Sequence, residues 1–327
     1  MQKLSNDEYL SMYSQQRPIV TQETLSSWCV ARFGSPLSHI IFESGYSSAV
    51  FGIVLKNERR IVVKVRSWHE RLISCWGVHR QMWEAGFPCP EPLGPPERRE
   101  QLAVSYENYL PGGEQLPRGI DAAEELGRVL AELVKSAPKA GAFPNLYPAW
   151  GFLRWDDPGD SWPLATDIAE DLNTRHDPAW IEHAARLARS IIRNSKFPAV
   201  IGHGDWWTDN IRWDHGKLLS VDDWDSVVAL SEPAIAGVAA ALFASGQSTV
   251  EESALFLDAY IATSDRHWNT LEYQHAWAAG LWARLFDARK ATMLSVHEFA
   301  SQLENEVEER LARAGVKTQS SRFYDHI

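Results

Sequence analysis

Several polar side chains between residues 200 and 226 have the types and spacing of a metal-binding, proton-transferring site. Asp205 is followed five positions later by Asn210, and the pair Asp222 and Asp223 lies further along the chain. The residues between Asn210 and Asp222 have the pattern of two short strands around a turn, so we expect a hairpin with Asn210 and the aspartate pair at its open end. Carboxylate and amide oxygens are ligands suited to Mg²⁺. The alternative is an acidic loop that only caps turns.

This set of side chains suits phosphoryl transfer. Negative charge develops on the transferring group, so metal must neutralise it, while a separate carboxylate positions and deprotonates the acceptor hydroxyl. Asp205 and Asn210, with four residues between them, match the spacing of the kinase catalytic loop. Asp223, eighteen positions beyond Asp205, completes the predicted metal site.

The two motifs HGDWWTDN and VDDWD resemble those of the aminoglycoside phosphotransferase and choline kinase family. The resemblance implies that Asp205 is the catalytic base and that Asn210 and Asp223 are metal ligands, with His203 bracing the loop through a hydrogen bond. It also implies ATP and Mg²⁺ as cofactors. Asp222 occupies a position that is usually apolar in the family, so either aspartate of the pair remains a candidate for the metal.

A lysine in the first half of the chain supports this interpretation. Lys64 lies within the apolar run IVVKV, and a lysine is seldom buried without a partner. By the resemblance it holds the α and β phosphates, and the turn over residues 44–48, with Ser47 and Ser48, covers the phosphates through backbone N–H groups. The alternative is an outward-facing strand lysine.

The acidic partner of Lys64 remains open in the sequence. Family members carry it on the following helix, where this chain offers Glu70 and Glu84 near the two ends and no acid in the middle, at residues 74–76.

The adenine-binding linker of the family corresponds to Asn108, Tyr109 and Leu110, which precede Pro111 and Gly112. An ordinary edge strand followed by a turn is the alternative reading of this segment.

The elements around these residues predict an α+β, protein-kinase-like fold of two lobes, a small β-rich N-lobe and a larger α-helical C-lobe. Three strand-like runs separated by two turns span residues 39–65, and mainly helical patterns follow Gly113. Thr21 is the expected cap of a helix over residues 22–33. The predicted regions are an N-terminal helical segment, a nucleotide-binding N-lobe and a catalytic, substrate-binding C-lobe, at residues 1–36, 37–110 and 111–327.

Composition narrows the functional classes. The chain of 327 residues carries 43 acidic against 32 basic residues, a net charge of −11, which disfavours nucleic acid and anionic membranes as partners. The three cysteines have no CxxC spacing, and no apolar run is long enough to span a bilayer. We therefore expect a cytoplasmic protein.

The sequence thus predicts an ATP-dependent O-phosphotransferase that acts on a hydroxyl of a small molecule, an aminoglycoside or another amino-bearing compound. The alternatives are a kinase of choline, an amino alcohol or a sugar, and a catalytically silent nucleotide-binding module. Protein kinase activity is disfavoured because no APE motif follows Asp223. The side chains expected to line an acceptor pocket are Asp156, Asp157, Asp160, Asp167, Glu170, Asp171, Glu251, Glu252, Asp258 and Asp287, flanked by Trp150, Trp155 and Trp162.

Overall fold

The structure is a computed structural model in which the chain forms two compact units. It describes residues 17–45, 47–148, 150–157, 162–165, 168, 170–175, 178–244 and 248–317. The first unit takes in the described residues up to Glu114 together with 143–146 and 213–225, and the second takes in 115–142, 147–212 and the described residues from Ser226 onward. Within this described part of the chain, no helix is both long and apolar enough to cross a bilayer.

A five-stranded antiparallel sheet forms the body of the first unit, with strand order β1-β2-β3-β5-β4. The strands are β1 Leu37–Ser44, β2 Ala49–Leu55, β3 Arg60–Ser67, β4 Glu97–Arg99 and β5 Leu102–Asn108. Alternate residues of β2, Phe51, Ile53 and Leu55, are buried in one hydrophobic core, as the period-2 pattern of a strand requires. The strands predicted within residues 39–65 are confirmed.

Two helices accompany this sheet. Helix α1, Gln22–Phe33, begins at Thr21, whose hydroxyl accepts a hydrogen bond from the Thr24 N–H, and ends at Gly34 in the left-handed conformation. The predicted cap and bounds of α1 are therefore confirmed. Leu25 and Cys29 of α1 join the sheet core. Helix α2, Arg71–Glu84, follows β3 directly.

The second unit is mainly helical. Its helices are α3 Ile120–Ser136, α4 Ala179–Asn194, α5 Glu232–Leu242, α6 Val250–Thr263, α7 Thr270–Met293 and α8 His297–Arg313. Helix α5 is buried along its whole length, which explains its almost continuous apolar sequence. Gly237 of α5 meets α7 so closely that an added Cβ would lie 2.0 Å from the Ala276 carbonyl oxygen, and only glycine allows that approach.

Short strands carry the polar motifs between the helices. Strands β6, Ala199–His203, and β9, Val227–Ser231, pair antiparallel in the second unit. The predicted hairpin is present as β7, Ile211–Asp214, and β8, Lys217–Val221, which form a two-stranded sheet. Single turns of 3₁₀ helix precede β7, at Thr208–Asn210, and follow β8, at Trp224–Ser226.

Candidate active site

Lys64 points into the first unit and contacts two carboxylates. In the pairing of β3 with β5, Lys64 faces Ser105, and Glu107 lies two residues further along the same face. The Lys64 Nζ is 3.2 Å from Glu107 Oε1 and 3.7 Å from Asp223 Oδ1. Because Lys64 is only 8% exposed, it is not an outward-facing strand lysine.

The two carboxylates keep this buried lysine charged. Burial opposes the ammonium charge, but the Glu107 carboxylate and then Asp223 outweigh it, so the pKa of Lys64 lies above its ordinary value. The ammonium is therefore protonated throughout the neutral range.

The main acidic partner of Lys64 is on a strand and not on the following helix. Glu70 immediately precedes α2, and Glu84 at its end pairs with Arg80 at 2.7 Å. Glu107 was not among the predicted site residues. Its one sequence signal is that it is an acid inside the strand-like run LAVSYENYL, and its place on the face of Lys64 follows only from the register of β3 against β5.

The aspartates after β8 have separate roles. Asp222 accepts a hydrogen bond from the Ser220 hydroxyl at 2.7 Å. Asp223, which contacts Lys64, has φ 61°, in the left-handed region, a conformation that costs a non-glycine residue roughly 1–3 kcal/mol. The next acid, Asp225, forms an ion pair with Arg66 of β3. Of the predicted pair, Asp223 is thus the one beside the lysine.

Trp224 fixes the segment that carries these acids. Its indole N–H donates to the Val221 carbonyl at 2.8 Å. Its ring stacks on His79 of α2, with centroids 4.9 Å apart, and meets Phe87 edge-on at 5.9 Å. Burial lowers the pKa of His79 to about 3, so the stacking partner is a neutral imidazole at physiological pH.

The HGDWWTDN segment of the second unit begins where β6 ends. His203 is buried, and its Nδ1 accepts a hydrogen bond from the Asp205 backbone N–H at 3.3 Å. The Asn210 side-chain amide donates to the Asp205 carbonyl oxygen at 2.8 Å and to its carboxylate Oδ2 at 3.2 Å. The structure therefore brings His203, Asp205 and Asn210 together as the sequence motif predicted.

Packing within the second unit holds this segment. The Gly204 N–H donates to the Ser226 carbonyl at 2.8 Å, and the Thr208 N–H donates to the Phe243 carbonyl at 3.2 Å. The Trp206 ring is buried and donates through Nε1 to the Leu126 carbonyl of α3 at 3.2 Å. Trp206 is thus a packing residue.

The predicted phosphate-covering turn lies between β1 and β2. Gly45 has φ 100°, and an added Cβ would lie 2.2 Å from the Ser48 carbonyl oxygen, so this turn requires glycine. Ser47 is exposed and Ser48 is half-buried, while Tyr46 lies outside the described residues.

The predicted adenine linker is tied to its own unit. The Asn108 N–H donates to the Glu91 carbonyl at 2.9 Å, and the Asn108 side-chain amide donates to the Glu91 carboxylate. The Tyr109 N–H donates to the Arg60 carbonyl at 3.3 Å. Leu110 follows and is half-buried.

Many of the predicted acceptor-lining acids have local structural partners. Glu252 forms the capping box of α6, Asp258 accepts a hydrogen bond from the Tyr273 hydroxyl, and Asp287 pairs with Lys290. In the Trp-rich segment, Asp157 pairs with Arg154, and Asp171 accepts from the Asn173 N–H. Asp156, Glu170 and Glu251 are exposed, and Asp160 and Asp167 lie outside the described residues.

The three tryptophans that were predicted to flank the acceptor differ in burial and in contacts. Trp155 and Trp162 are buried, and Trp162 stacks on Trp282 with centroids 5.2 Å apart. Trp150 is half-buried, and its Cζ3 would lie 3.0 Å from a Cβ placed on Gly204, the residue between His203 and Asp205. Trp150 is therefore the one of the three that lies against the HGDWWTDN segment.

Comparison with protein families decides the identity of this fold. The sequence profile described as the phosphotransferase enzyme family matches residues 39–229, which is more than half of the chain. The chain belongs to this family. Its members are kinase-type enzymes, so this phosphotransferase transfers a phosphoryl group to a small molecule. No curated protein sequence matches the chain.

Solved structures confirm the predicted protein-kinase-like α+β fold of this phosphotransferase. An amicoumacin kinase in complex with AMP-PNP, Ca²⁺ and Ami has a TM-score of 0.62 at 10% identity, over 89% of this chain and 94% of the other. A choline/ethanolamine kinase family protein from Mesorhizobium loti has a TM-score of 0.57 at 15% identity, over 90% and 94%. A spectinomycin phosphotransferase in complex with ADP and spectinomycin has a TM-score of 0.56 at 10% identity, over 90% and 94%.

Proposed function

We propose that the protein is an ATP-dependent O-phosphotransferase that phosphorylates a hydroxyl of a small, amino-bearing molecule. The observation that carries the proposal is the hydrogen bonding of Asn210 to the Asp205 carboxylate within the HGDWWTDN segment. This contact joins the two side chains that phosphoryl transfer needs, a carboxylate for the hydroxyl and an amide oxygen for a metal.

In the first unit, Lys64 is proposed to bind the α and β phosphates of the nucleotide. Its raised pKa supports this role because a protonated ammonium suits an anionic ligand. Glu107 keeps Lys64 extended along the sheet. Ser47 and Ser48 are proposed to cover the phosphates, and residues 108–110 to contact the base.

Mg²⁺ is the proposed metal, and Asn210 and Asp223 are its proposed ligands. Both side chains offer hard oxygen donors, and the Asp223 side chain is 35% exposed, so a ligand can reach it. Among the described residues, no group of three His, Cys, Asp or Glu side chains could hold a metal alone. That fits Mg²⁺, which usually takes one or two protein ligands and completes its shell with phosphate oxygens and water. When bound, the ion neutralises charge on the phosphates.

In the second unit, Asp205 is the proposed base. Its carboxylate receives the proton of the acceptor hydroxyl as the oxygen attacks the γ phosphorus, while the bond from that phosphorus to the β,γ-bridging oxygen breaks and ADP leaves. His203 holds the backbone of Asp205 through its Nδ1, and Asn210 orients the carboxylate. Because both hydrogen bonds of Asn210 use its amide nitrogen, its Oδ1 is the atom assigned to the metal.

An amino-bearing acceptor is supported by the aromatic surface beside Gly204. The Trp150 and Phe152 rings are stacked with centroids 6.0 Å apart, and an indole face attracts a cation. A choline, amino alcohol or aminoglycoside would satisfy the same chemistry. Cys29, Cys75 and Cys89 are buried thiols that form no disulfide, which supports the cytoplasm as the proposed location, since thiols stay reduced there.

The test is a phosphorylation screen. The purified protein is incubated with Mg²⁺ and ATP and a panel of aminoglycosides, amino alcohols and neutral sugars, and products are detected by mass spectrometry as an added phosphate. Asp205→Asn serves as the control for contaminating kinases. Phosphorylation of an amino-bearing acceptor by the wild type alone supports the proposal. Transfer to neutral sugars only overturns the acceptor class, and no Mg²⁺-dependent nucleotide binding overturns the enzyme assignment.

A further inference from the structure

Two basic residues on one face of β3 meet two acids of the segment after β8. Lys64 and Arg66 are separated by one residue, so their side chains lie on the same face of the strand. Lys64 contacts Asp223, and Arg66 forms an ion pair with Asp225, which is also separated from Asp223 by one residue. The acid segment therefore runs along β3 with a matching spacing of two residues.

Asp225 is held through its backbone carbonyl as well as through its side chain. The Arg71 guanidinium of α2 donates to the Asp225 carbonyl oxygen. The Cys75 thiol donates to the same carbonyl over 3.6 Å. Arg66 is 8% and Arg71 1% exposed, and a buried guanidinium stays charged and requires an acceptor. Asp225 supplies both acceptors, one from its carboxylate and one from its backbone.

Asp223 itself needs such support. Its left-handed backbone is one that a residue with a Cβ adopts only when the surroundings impose it. On the N-terminal side the segment is fixed at Val221, whose carbonyl accepts a hydrogen bond from the Trp224 indole. On the C-terminal side the fixed point is Asp225. The strained residue therefore lies between two restraints, and the Arg66–Asp225 pair supplies the charged one.

We propose that Arg66 and Asp225 are positioning residues that set the register of the acid segment, so that Asp223 and neither Asp222 nor Asp225 presents its carboxylate to the metal. The inference rests on the proposed function. Asp225 is occupied by Arg66, and Asp222 accepts the Ser220 hydroxyl. Loss of the Arg66–Asp225 pair releases Asp223 from its left-handed conformation and moves its carboxylate away from Lys64.

The test uses the full-length protein with ADP as the nucleotide probe and titrates Mg²⁺ at a fixed ADP concentration by calorimetry. For Asp225→Asn we expect the Mg²⁺ midpoint to rise about tenfold or more, the range found when the partner that orients a metal ligand is removed. Hydrogen exchange in the metal-free variant should speed up in residues 222–226 and stay unchanged in α1. Arg66→Lys keeps a cation in place and should raise the midpoint less than Asp225→Asn does.

A matched control removes an ion pair elsewhere in the same unit. Glu84→Gln breaks the exposed pair with Arg80 on α2, and it should leave both the Mg²⁺ midpoint and the exchange of residues 222–226 unchanged. If Asp225→Asn does not fold, the measurements on Arg66→Lys take its place. The positioning role is overturned if the variant that folds has the wild-type Mg²⁺ midpoint and the wild-type hydrogen exchange in residues 222–226. If the wild type itself shows no Mg²⁺-dependent ADP binding, the proposed function fails, and the metal-free exchange still decides whether Arg66 and Asp225 hold the segment.

Discussion

Replacing Glu107 by Gln removes the nearer of the two charges around Lys64 and keeps the shape of the side chain. The glutamine carbonyl can still accept a hydrogen bond from the Lys64 ammonium, so packing in β5 is preserved. Two changes follow. Burial lowers the pKa of Lys64 with less opposition from carboxylate charge, and the remaining carboxylate, Asp223, becomes the main partner of Lys64. Lys64 then competes with the metal for Asp223.

The size of the effect follows from the distances. Two unit charges 3.2 Å apart attract by about 5 kcal/mol at an effective dielectric constant of 20. Removing one partner of a buried pair costs about 3–5 kcal/mol when the other is left alone. Asp223 remains at 3.7 Å, so we expect a smaller net loss of about 1–3 kcal/mol for the charged form of Lys64, and the pKa of Lys64 falls.

The sign of the pH dependence is fixed by this loss. In the wild type the pKa of Lys64 is raised. Its charge therefore contributes fully to stability below the pKa of the unfolded state, and this contribution declines only as the pH rises through the pKa of the folded state. In Glu107→Gln the pKa of Lys64 falls, and the alkaline limb of kcat/KM for the nucleotide should move to lower pH. The KM for ATP should rise, and more Mg²⁺ should be needed for half-maximal rate.

Steady-state kinetics from pH 6 to 10, with thermal melting alongside, would measure this. The control is Glu97→Gln. Glu97 lies on β4 of the same sheet, and its carboxylate pairs with Arg32 and Arg99. That variant should keep the alkaline limb of the wild type. The reasoning about Lys64 is refuted if the two variants lose similar stability and share the wild-type alkaline limb and KM.

Four further predictions concern the proposed site. Asp205→Asn should lower the rate of transfer by roughly 10²–10⁴-fold at an unchanged melting temperature, and near-normal turnover would end its assignment as the base. Asp223→Ala should abolish Mg²⁺-dependent ADP binding in calorimetry while Asp222→Ala weakens it mildly, and the reverse order would place the metal on Asp222. Trp150→Ala should raise the KM of an amino-bearing acceptor roughly 3- to 30-fold without changing the KM of ATP, and equal effects on both would contradict its contact with the acceptor. Acceptor binding should weaken as salt rises because screening reduces the attraction between charges, and a flat salt titration would indicate an uncharged acceptor.

The local contacts of the HGDWWTDN segment could be predicted because its residues are close along the chain. Asp205 and Asn210 are brought together by one loop, and hairpin signals located the strands β7 and β8. Lys64 was found because a lysine in an apolar strand is unusual. In each case the pattern needed only local geometry.

The partner of Lys64 could not be predicted in the same way. Glu107 meets the lysine through the register of β3 against β5, and register depends on pairing between segments far apart in the chain. The ion pair of Arg66 with Asp225 has the same origin. The sequence predicted that acids such as Asp258 line an acceptor pocket together. It could not show that Asp258 already accepts a hydrogen bond from the Tyr273 hydroxyl.

The position of Glu107 on a strand has a consequence for how the enzyme is controlled. Protein kinases are switched when a mobile helix carries its glutamate toward or away from the strand lysine. Here the acid and the lysine lie on neighbouring strands of one hydrogen-bonded sheet, and α2 carries no acid between Arg71 and Trp83. A swing of that helix has no ionic contact with the lysine to break. We therefore expect a constitutively competent catalyst whose output follows the supply of nucleotide and acceptor.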